Sequence, residues 1–229
     1  HLAGGAGLSD IQGIEVARIA EVTQTQADKW ADLREFGADD LEDTFFPWKW
    51  SAAASPDGAV VGLGTDTGPQ AICYRKDLME QAGLPADREE LASMWETWDD
   101  FIEVGKQYME NAPKGSAFID SASGLYNVII GQSETQYYDE EGTPIYDTNP
   151  VVKDAWDVAV EASQAGLTAK LTQFDETWNQ GFASGSFATI ACPAWMLGHI
   201  QGQAGDAGDG LWDVASIPGD GGNWGGSYL

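Results

Sequence analysis

Side chains that could act as nucleophiles or metal ligands are few in this sequence and poorly spaced for catalysis. The 229 residues include two histidines and two cysteines. His199 stands in AWMLGHIQG, where a short surface helix is expected, and the sequence has no HExxH motif or Cys/His cluster. It also lacks a GxSxG nucleophile elbow and a GxxxxGK[ST] phosphate loop. The sequence therefore predicts no catalytic residues, no metal site and no cofactor.

Carboxylates are the one abundant reactive group. There are 37 acidic residues against 11 basic ones, which gives a net charge of −26. The negative electrostatic field of such a charge repels nucleic acid and anionic lipid, which are therefore disfavoured as partners. The charge indicates a solubilising surface. A glycosidase needs two carboxylates about 5–10 Å apart. So many acids allow such a pair without identifying one, and a glycoside hydrolase using a carboxylate pair therefore stays as the alternative function.

Cys73 and Cys192 lie far apart, in the apolar runs AICYR and TIACPAW. These surroundings favour two buried thiols that act as small apolar side chains. A single disulfide, formed in an oxidising compartment, is the other interpretation. Both stay open because a disulfide needs a short Cα separation, which the sequence does not report.

Helical patterns alternate with short apolar runs along the chain, which favours α/β layering. We expect one helix over residues 14–36 and another from Lys76 to Gly83. The TWDD sequence at 97–100 predicts a capping box, and Asn149-Pro150 predicts a helix start. Trp98 and Trp156 have apolar neighbours at helical spacing, so both are predicted to lie in the core.

Four segments, taken in order, carry a family resemblance. They are GGAGLSDIQGIE (4–15), GLGTDTGPQAICYRKDLMEQAGLP (62–85), GFASGSFATIACPAWMLGHI (181–200) and WDVASIPGDGGNWGGSYL (212–229). Together they resemble the bacterial extracellular solute-binding proteins of the carbohydrate type, the family that includes maltose-binding protein. The segments occur in the family's order and with its spacing, and together they extend over nearly the whole chain.

The resemblance implies a periplasmic-binding-protein-like α/β fold, with two lobes joined by a hinge and a ligand in the cleft. Residues 1–68 would be part of lobe 1, 69–213 lobe 2, and 214–229 the return crossing into lobe 1. The implied function is binding of a mono- or oligosaccharide for delivery to the membrane permease of an ABC transporter, without catalysis. The implied location is extracellular, as a lipoprotein at the cell surface or in the periplasm. Both ends of the fold, including any anchoring segment before His1, are expected to be missing.

A sugar presents hydroxyls at its ring edge and C–H groups on its ring face, so its site needs polar groups and aromatic side chains. Residues at or near the family's ligand positions supply both. The candidate ligand-binding residues are Glu15, Asp66, Ser123, Tyr126, Trp195, Trp224, Gly225, Gly226 and Ser227. Trp48 and Trp50, which flank Lys49 in a proline-containing loop, are candidates for the edge of the cleft.

Overall fold

The structure, a computed structural model, describes residues 9–139 and 142–229. The glycine-rich residues 4–8 of the first resembling segment lie outside this range. The chain divides into two compact units. Unit 1 comprises the described residues up to Thr67 together with Gly225–Leu229, and unit 2 the described residues of Gly68–Trp224. The lobe boundaries given above stay a prediction.

The described residues contain helices and strands in alternation, as the sequence predicts. The α-helices are α1 (Val16–Thr25), α2 (Pro47–Ala52), α3 (Lys76–Gln81), α4 (Arg88–Ser93), α5 (Trp98–Asn111), α6 (Ala122–Ile130), α7 (Pro150–Gln164), α8 (Glu176–Ser184) and α9 (Met196–Ala204). The strands are β1 (Ile14–Glu15), β2 (Gln70–Arg75), β3 (Ala117–Ile119), β4 (Phe187–Pro193), β5 (Trp212–Ala215) and β6 (Ser227–Tyr228).

Unit 2 is built on a four-stranded sheet with the order β3-β4-β2-β5. Strand β2 runs antiparallel to β4 and β5, whereas β3 runs parallel to β4. Successive residues of a strand point to opposite faces, so Ile72 and Tyr74 enter one core cluster and Cys73 enters the other. The sheet is therefore covered on both faces, which explains why β2 and β4 read as continuous apolar runs.

The two cysteines form a disulfide between neighbouring strands. Cys73 on β2 and Cys192 on β4 are bonded, with their Cα atoms 5.3 Å apart. This separation lies within the range that disulfides require. The favoured interpretation of two buried thiols is therefore wrong, because the antiparallel pairing of β2 with β4 places the cysteines diagonally opposite each other.

Unit 1 contains the short antiparallel pair β1–β6 and helix α1. The single helix predicted over residues 14–36 is wrong, because α1 ends at Thr25 and short 3-10 helices follow. Asp32 accounts for part of the break: its Oδ1 accepts hydrogen bonds from the backbone N–H groups of Arg34 and Val60. These bonds begin the 3-10 helix Leu33–Phe36 and tie it to a segment distant in sequence.

Local helix signals in unit 2 are confirmed. Thr97 and Asp100 form the predicted capping box at the start of α5. The Asn149 side chain caps α7, and Pro150 is its first residue. Gly83 follows α3 with φ +80°, the left-handed conformation that ends many helices.

Two predictions about tryptophans are wrong. Trp156 was expected in the core, but 62% of its surface is exposed on α7. Its neighbours Val152 and Ala159 face the protein, and the helical turn carries Trp156 outward. Trp50 was a candidate for the cleft edge, yet it is buried among Ala38 and Val60. The proline-containing loop assigned to Trp50 is the helix α2.

Candidate functional site

Asp66 and Ser227 are joined directly in unit 1. The Oδ1 atom of Asp66 accepts hydrogen bonds from Ser227 N (2.8 Å), Ser227 Oγ (2.7 Å) and Thr65 Oγ1 (3.0 Å). All three of these hydrogen bonds reach the same oxygen of the carboxylate. Asp66 is exposed, so its carboxylate can be reached from solvent and could accept from the hydroxyl of a ligand.

The hydrogen bonds also fix the charge of Asp66. The Ser227 hydroxyl contributes most to lowering the pKa of this carboxyl below its ordinary value, with further contributions from Thr65, the Ser227 backbone and the charge of Lys49. Donors that stabilise the ionised form act in this direction. Asp66 is therefore a carboxylate at neutral pH, an acceptor with a fixed orientation.

Glu15 lies beside this pair in the same unit. It is the last residue of β1, directly opposite Ser227 of β6 in the antiparallel register. Glu15 immediately precedes α1, and its backbone is extended rather than helical (φ −69°, ψ 146°). The residue is exposed to solvent. The structure thus brings together three predicted residues that are widely separated in sequence.

Gly226 is required by close contacts at this position. Its φ of +118° is accessible mainly to glycine, and an added Cβ would lie 2.7 Å from the Asp66 carbonyl oxygen. Gly225, with φ +87°, also has a left-handed backbone. Both predicted glycines therefore have a backbone role, and the Gly226 carbonyl accepts the first N–H of α1 from Val16 at 2.9 Å.

Lys49 is a functional candidate that the sequence analysis did not select. Only 3% of the residue is exposed, and its ammonium lies 3.9 Å from the centre of the Tyr228 ring. The Nζ atom has no hydrogen-bond partner within the described residues. Burial lowers the pKa of Lys49, while the negative charge of Asp66 opposes this shift. Its position between two tryptophans, at the centre of WKW, was the signal available in the sequence.

Trp195 and Trp224 meet in unit 2. Their ring centroids are 5.8 Å apart with an edge-to-face angle of 74°, and Trp195 Nε1 donates to the Trp224 carbonyl at 2.8 Å. The Trp224 backbone N–H in turn donates to the Gly68 carbonyl at 2.8 Å. A side chain at Gly68 would strike the Trp224 carbonyl, so this glycine permits the approach. Both indoles remain partly exposed.

Ser123 and Tyr126 lie on α6 and make contacts of their own. The Ser123 side chain is exposed, and its hydroxyl is 3.4 Å from that of Ser121. The Tyr126 hydroxyl is 3.0 Å from the hydroxyl of Tyr137, and its ring meets Trp156 edge to face. Tyr126 and Trp224 both pack against the core cluster that contains the apolar residues of α6.

Two further residues of unit 2 escaped the sequence analysis. Asp120 is fully buried at the end of β3, where its Oδ2 accepts from Gln173 Nε2 and Trp178 Nε1, each at 2.8 Å. Burial raises its pKa to about 6, although these hydrogen bonds oppose the shift. Phe174, beside Gln173, is a large exposed side chain with a positive φ. The residues around Asp120 and Phe174 in the sequence predict neither the burial of the first nor the positive φ of the second.

A groove of about 470 Å³ lies between α9 and β5, away from the predicted residues. Its walls include Ile200, Ala204 and Trp212, together with Asp206 and Asp209. None of the nine candidate residues lines it. Residues 9–139 and 142–229 contain no group of three or more histidine, cysteine or acidic side chains arranged to hold a metal ion. No helix within these ranges has the length and apolar character to cross a membrane.

Comparison with known proteins identifies the family. A family described as "Bacterial extracellular solute-binding protein" matches residues 3–229. The chain belongs to this family. Its members are binding proteins rather than enzymes, which agrees with the failure of the catalytic motifs in the sequence. Family membership implies an extracellular or periplasmic location.

Individual solute-binding proteins extend the comparison. The chain is 27% identical over 203 residues to an arabinooligosaccharide-binding protein of Halalkalibacterium halodurans, covering 87% of this chain and 44% of the relative. It is 30% identical over 164 residues to a lactose-binding protein of Rhizobium radiobacter, covering 71% and 37%. The chain therefore spans less than half the length of either relative.

A solved solute-binding protein confirms the predicted fold class. A crystal structure described as an extracellular solute-binding protein of family 1 is 43% identical, with a TM-score of 0.85. The match covers 99% of this chain and 57% of that one. The α/β fold of the periplasmic-binding-protein type, predicted from the four segments, is the fold of this chain.

Proposed function

We propose that the protein binds a sugar, a mono- or oligosaccharide, outside the cell and delivers it unmodified to the membrane permease of an ABC importer. The observation that carries this proposal is the Trp195–Trp224 pair, two partly exposed indoles held at a fixed angle by the hydrogen bond from Trp195 Nε1. Indole faces pack on the apolar face of a sugar ring. The two relatives named for saccharides support the same ligand class.

The polar candidates of unit 1 suit the hydroxyl groups of a sugar. Asp66 offers an exposed carboxylate oriented by Ser227, and Glu15 adds a second exposed carboxylate opposite Ser227. Sites that hydrogen-bond to hydroxyls discriminate strongly, because a ligand without the hydroxyl leaves their polar groups unpaired. We propose all nine sequence candidates as ligand-binding residues, with Gly225 and Gly226 acting through the backbone. We also propose anchoring at the cell surface as a lipoprotein.

Calorimetric titration tests the proposal. The panel is lactose and arabinotriose, taken from the relatives, with galactose, glucose and arabinose as monosaccharides. Saturable binding to the wild-type chain is expected for at least one member. Trp195→Leu should weaken that binding by about tenfold or more, since an aromatic contact and its buried area are lost. Trp212→Leu is the control, because Trp212 is also a partly exposed indole of unit 2 whose Nε1 donates to a backbone carbonyl, and it is not one of the candidate residues.

The alternatives predict different results. A glycoside hydrolase would release reducing ends from lactose or arabinotriose during incubation, whereas a binding protein returns both sugars intact. A surface adhesin would bind immobilised polymer but not the free sugars of the panel. Binding that survives Trp195→Leu unchanged would remove the indole pair as the basis of the proposal.

A further inference from the structure

Phe174 is an exposed aromatic side chain on an unfavourable backbone. Its φ is +70°, in the left-handed region, and 56% of its surface is exposed. A bulky residue rarely adopts this conformation unless the surroundings impose it. Exposure of a large apolar ring is also unfavourable, so neither local backbone energy nor burial explains why phenylalanine stands here.

The residues on either side of Phe174 fix its backbone. Gln173 donates from Nε2 to Asp120 Oδ2 at 2.8 Å. On the other side, Asp175 caps α8 by accepting from Trp178 N at 2.7 Å. Trp178 Nε1 donates to the same oxygen of Asp120, also at 2.8 Å. The short turn before α8 is therefore tied at both ends to one buried network, which can maintain the strained conformation between them.

This network presents the Phe174 ring nearly parallel to Trp195. The two ring centroids are 6.2 Å apart and their planes differ by 24°. Beneath Phe174 lies the fully buried Trp178, with a centroid distance of 5.0 Å. The orientation of Trp195 is fixed by its hydrogen bond to Trp224. The two rings therefore form an offset stack whose faces point in the same direction at different heights; we call this pair the Phe174–Trp195 platform.

We propose that the Phe174–Trp195 platform packs against two consecutive rings of a bound oligosaccharide, and that Phe174 sets a preference for saccharides of two or more units over monosaccharides. The inference rests on the proposed sugar-binding function and narrows its ligand class. One aromatic ring covers the C–H face of about one sugar ring, so the second aromatic ring gains a partner only when the ligand has a second unit. If Phe174 served only to cover Trp178, a leucine at this position would serve equally well.

Substitution of Phe174 separates these roles. Phe174→Leu keeps an apolar cover over Trp178 but removes the flat ring, and Phe174→Tyr retains the ring. Tyr146→Leu is the matched control, because Tyr146 is 61% exposed in unit 2 and lies outside the platform. Each variant is titrated with lactose and arabinotriose and with galactose, glucose and arabinose. Thermal denaturation verifies that each variant is folded. If Phe174→Leu does not fold, Phe174→Gly replaces it, since glycine accepts a φ of +70° without strain.

The expected pattern is specific to ligand length. Phe174→Leu should weaken binding of the oligosaccharide by about tenfold and of its constituent monosaccharide by at most about twofold, with Phe174→Tyr and Tyr146→Leu close to wild type. Equal affinity of Phe174→Leu and wild type for the oligosaccharide would overturn the inference, as would an equal loss for both ligand lengths. A wild-type chain that binds no sugar of the panel would overturn the proposed function itself, and with it this inference.

Discussion

Ser227 donates two hydrogen bonds to Asp66 across a separation of 161 residues, and both reach the same carboxylate oxygen. One comes from the backbone and one from the hydroxyl, so only the second can be removed by mutation. The arrangement orients the exposed carboxylate of Asp66 through one of its two oxygens. The pair thus joins two segments of unit 1 and prepares an acceptor for a ligand.

Ser227→Ala tests this orientation. It removes the bond from Oγ and retains the one from the backbone, so we expect sugar affinity to fall about fivefold, equivalent to about 1 kcal/mol. Because the hydroxyl is the largest cause of the lowered Asp66 pKa, the variant should also lose affinity at a higher pH than wild type as the pH falls. Titration between pH 3 and 7 measures both effects. If wild type and Ser227→Ala lose affinity over the same acidic pH range, the Ser227 hydroxyl is not the main cause of the lowered Asp66 pKa. Thr65→Val should move the loss of affinity to higher pH by a smaller amount.

Asp120→Asn tests the buried carboxyl of unit 2. Burial raises its pKa from 3.8 to about 6, so the folded protein holds this proton more tightly than the unfolded chain does. The free energy of unfolding should therefore decrease as the pH rises from about 4 to about 6, by about 3 kcal/mol from this group. The asparagine does not titrate yet keeps an acceptor oxygen for Gln173 and Trp178. Urea unfolding at several pH values should show a flatter dependence in the variant, and equal slopes would refute the assignment.

Removal of the disulfide should destabilise unit 2. Cys73 and Cys192 close a segment with a sequence separation of 119 residues. A cross-link over about 100 residues stabilises a protein by up to about 5 kcal/mol, mainly by restricting the unfolded chain. We expect the Cys73→Ala/Cys192→Ala double variant to unfold at a lower urea concentration than the oxidised wild type. Reduced wild type serves as the control and should approach the variant. An unchanged midpoint would contradict a bonded pair.

Lys49→Met should stabilise unit 1. The ammonium is buried without a hydrogen-bond partner in the described residues, and burial is the main cause of its lowered pKa. Methionine fills similar volume against Tyr228 without a charge to desolvate. The expected gain in the free energy of unfolding is about 1 kcal/mol at pH 7, reduced by the lost contact with the ring. Lys106→Met, at an exposed lysine paired with Glu103 and Glu161, should give no such gain. A destabilised Lys49→Met would indicate that the charge is needed for the fold.

The sequence predicted those features that depend on a few neighbouring residues. The capping box at Thr97 and the Asn149-Pro150 start of α7 are confirmed, because the side chain and the N–H groups it satisfies lie within one turn. The helix expected over residues 14–36 fails for the opposite reason. Asp32 bonds to Val60, a partner 28 residues away that no local pattern reports.

The candidate residues were selected from the sequence, but the contacts between them were not predicted. Family resemblance selected Asp66 and Ser227, while the hydrogen bonds between them depend on the pairing of distant segments. Phe174 was not selected because its positive φ and the direction of its ring are not encoded by amino-acid type. Cys73 and Cys192 could be paired only once the register of β2 with β4 was known.

Binding of a sugar without hydrolysis is tested most directly by calorimetric titration of the wild-type chain with lactose and arabinotriose, followed by chromatography of the recovered sugar. The wild-type chain is expected to bind at least one of them saturably and to return it intact, and the Trp195→Leu chain is expected to bind it more weakly. The contradicting result is either the absence of binding to both sugars or the appearance of their hydrolysis products.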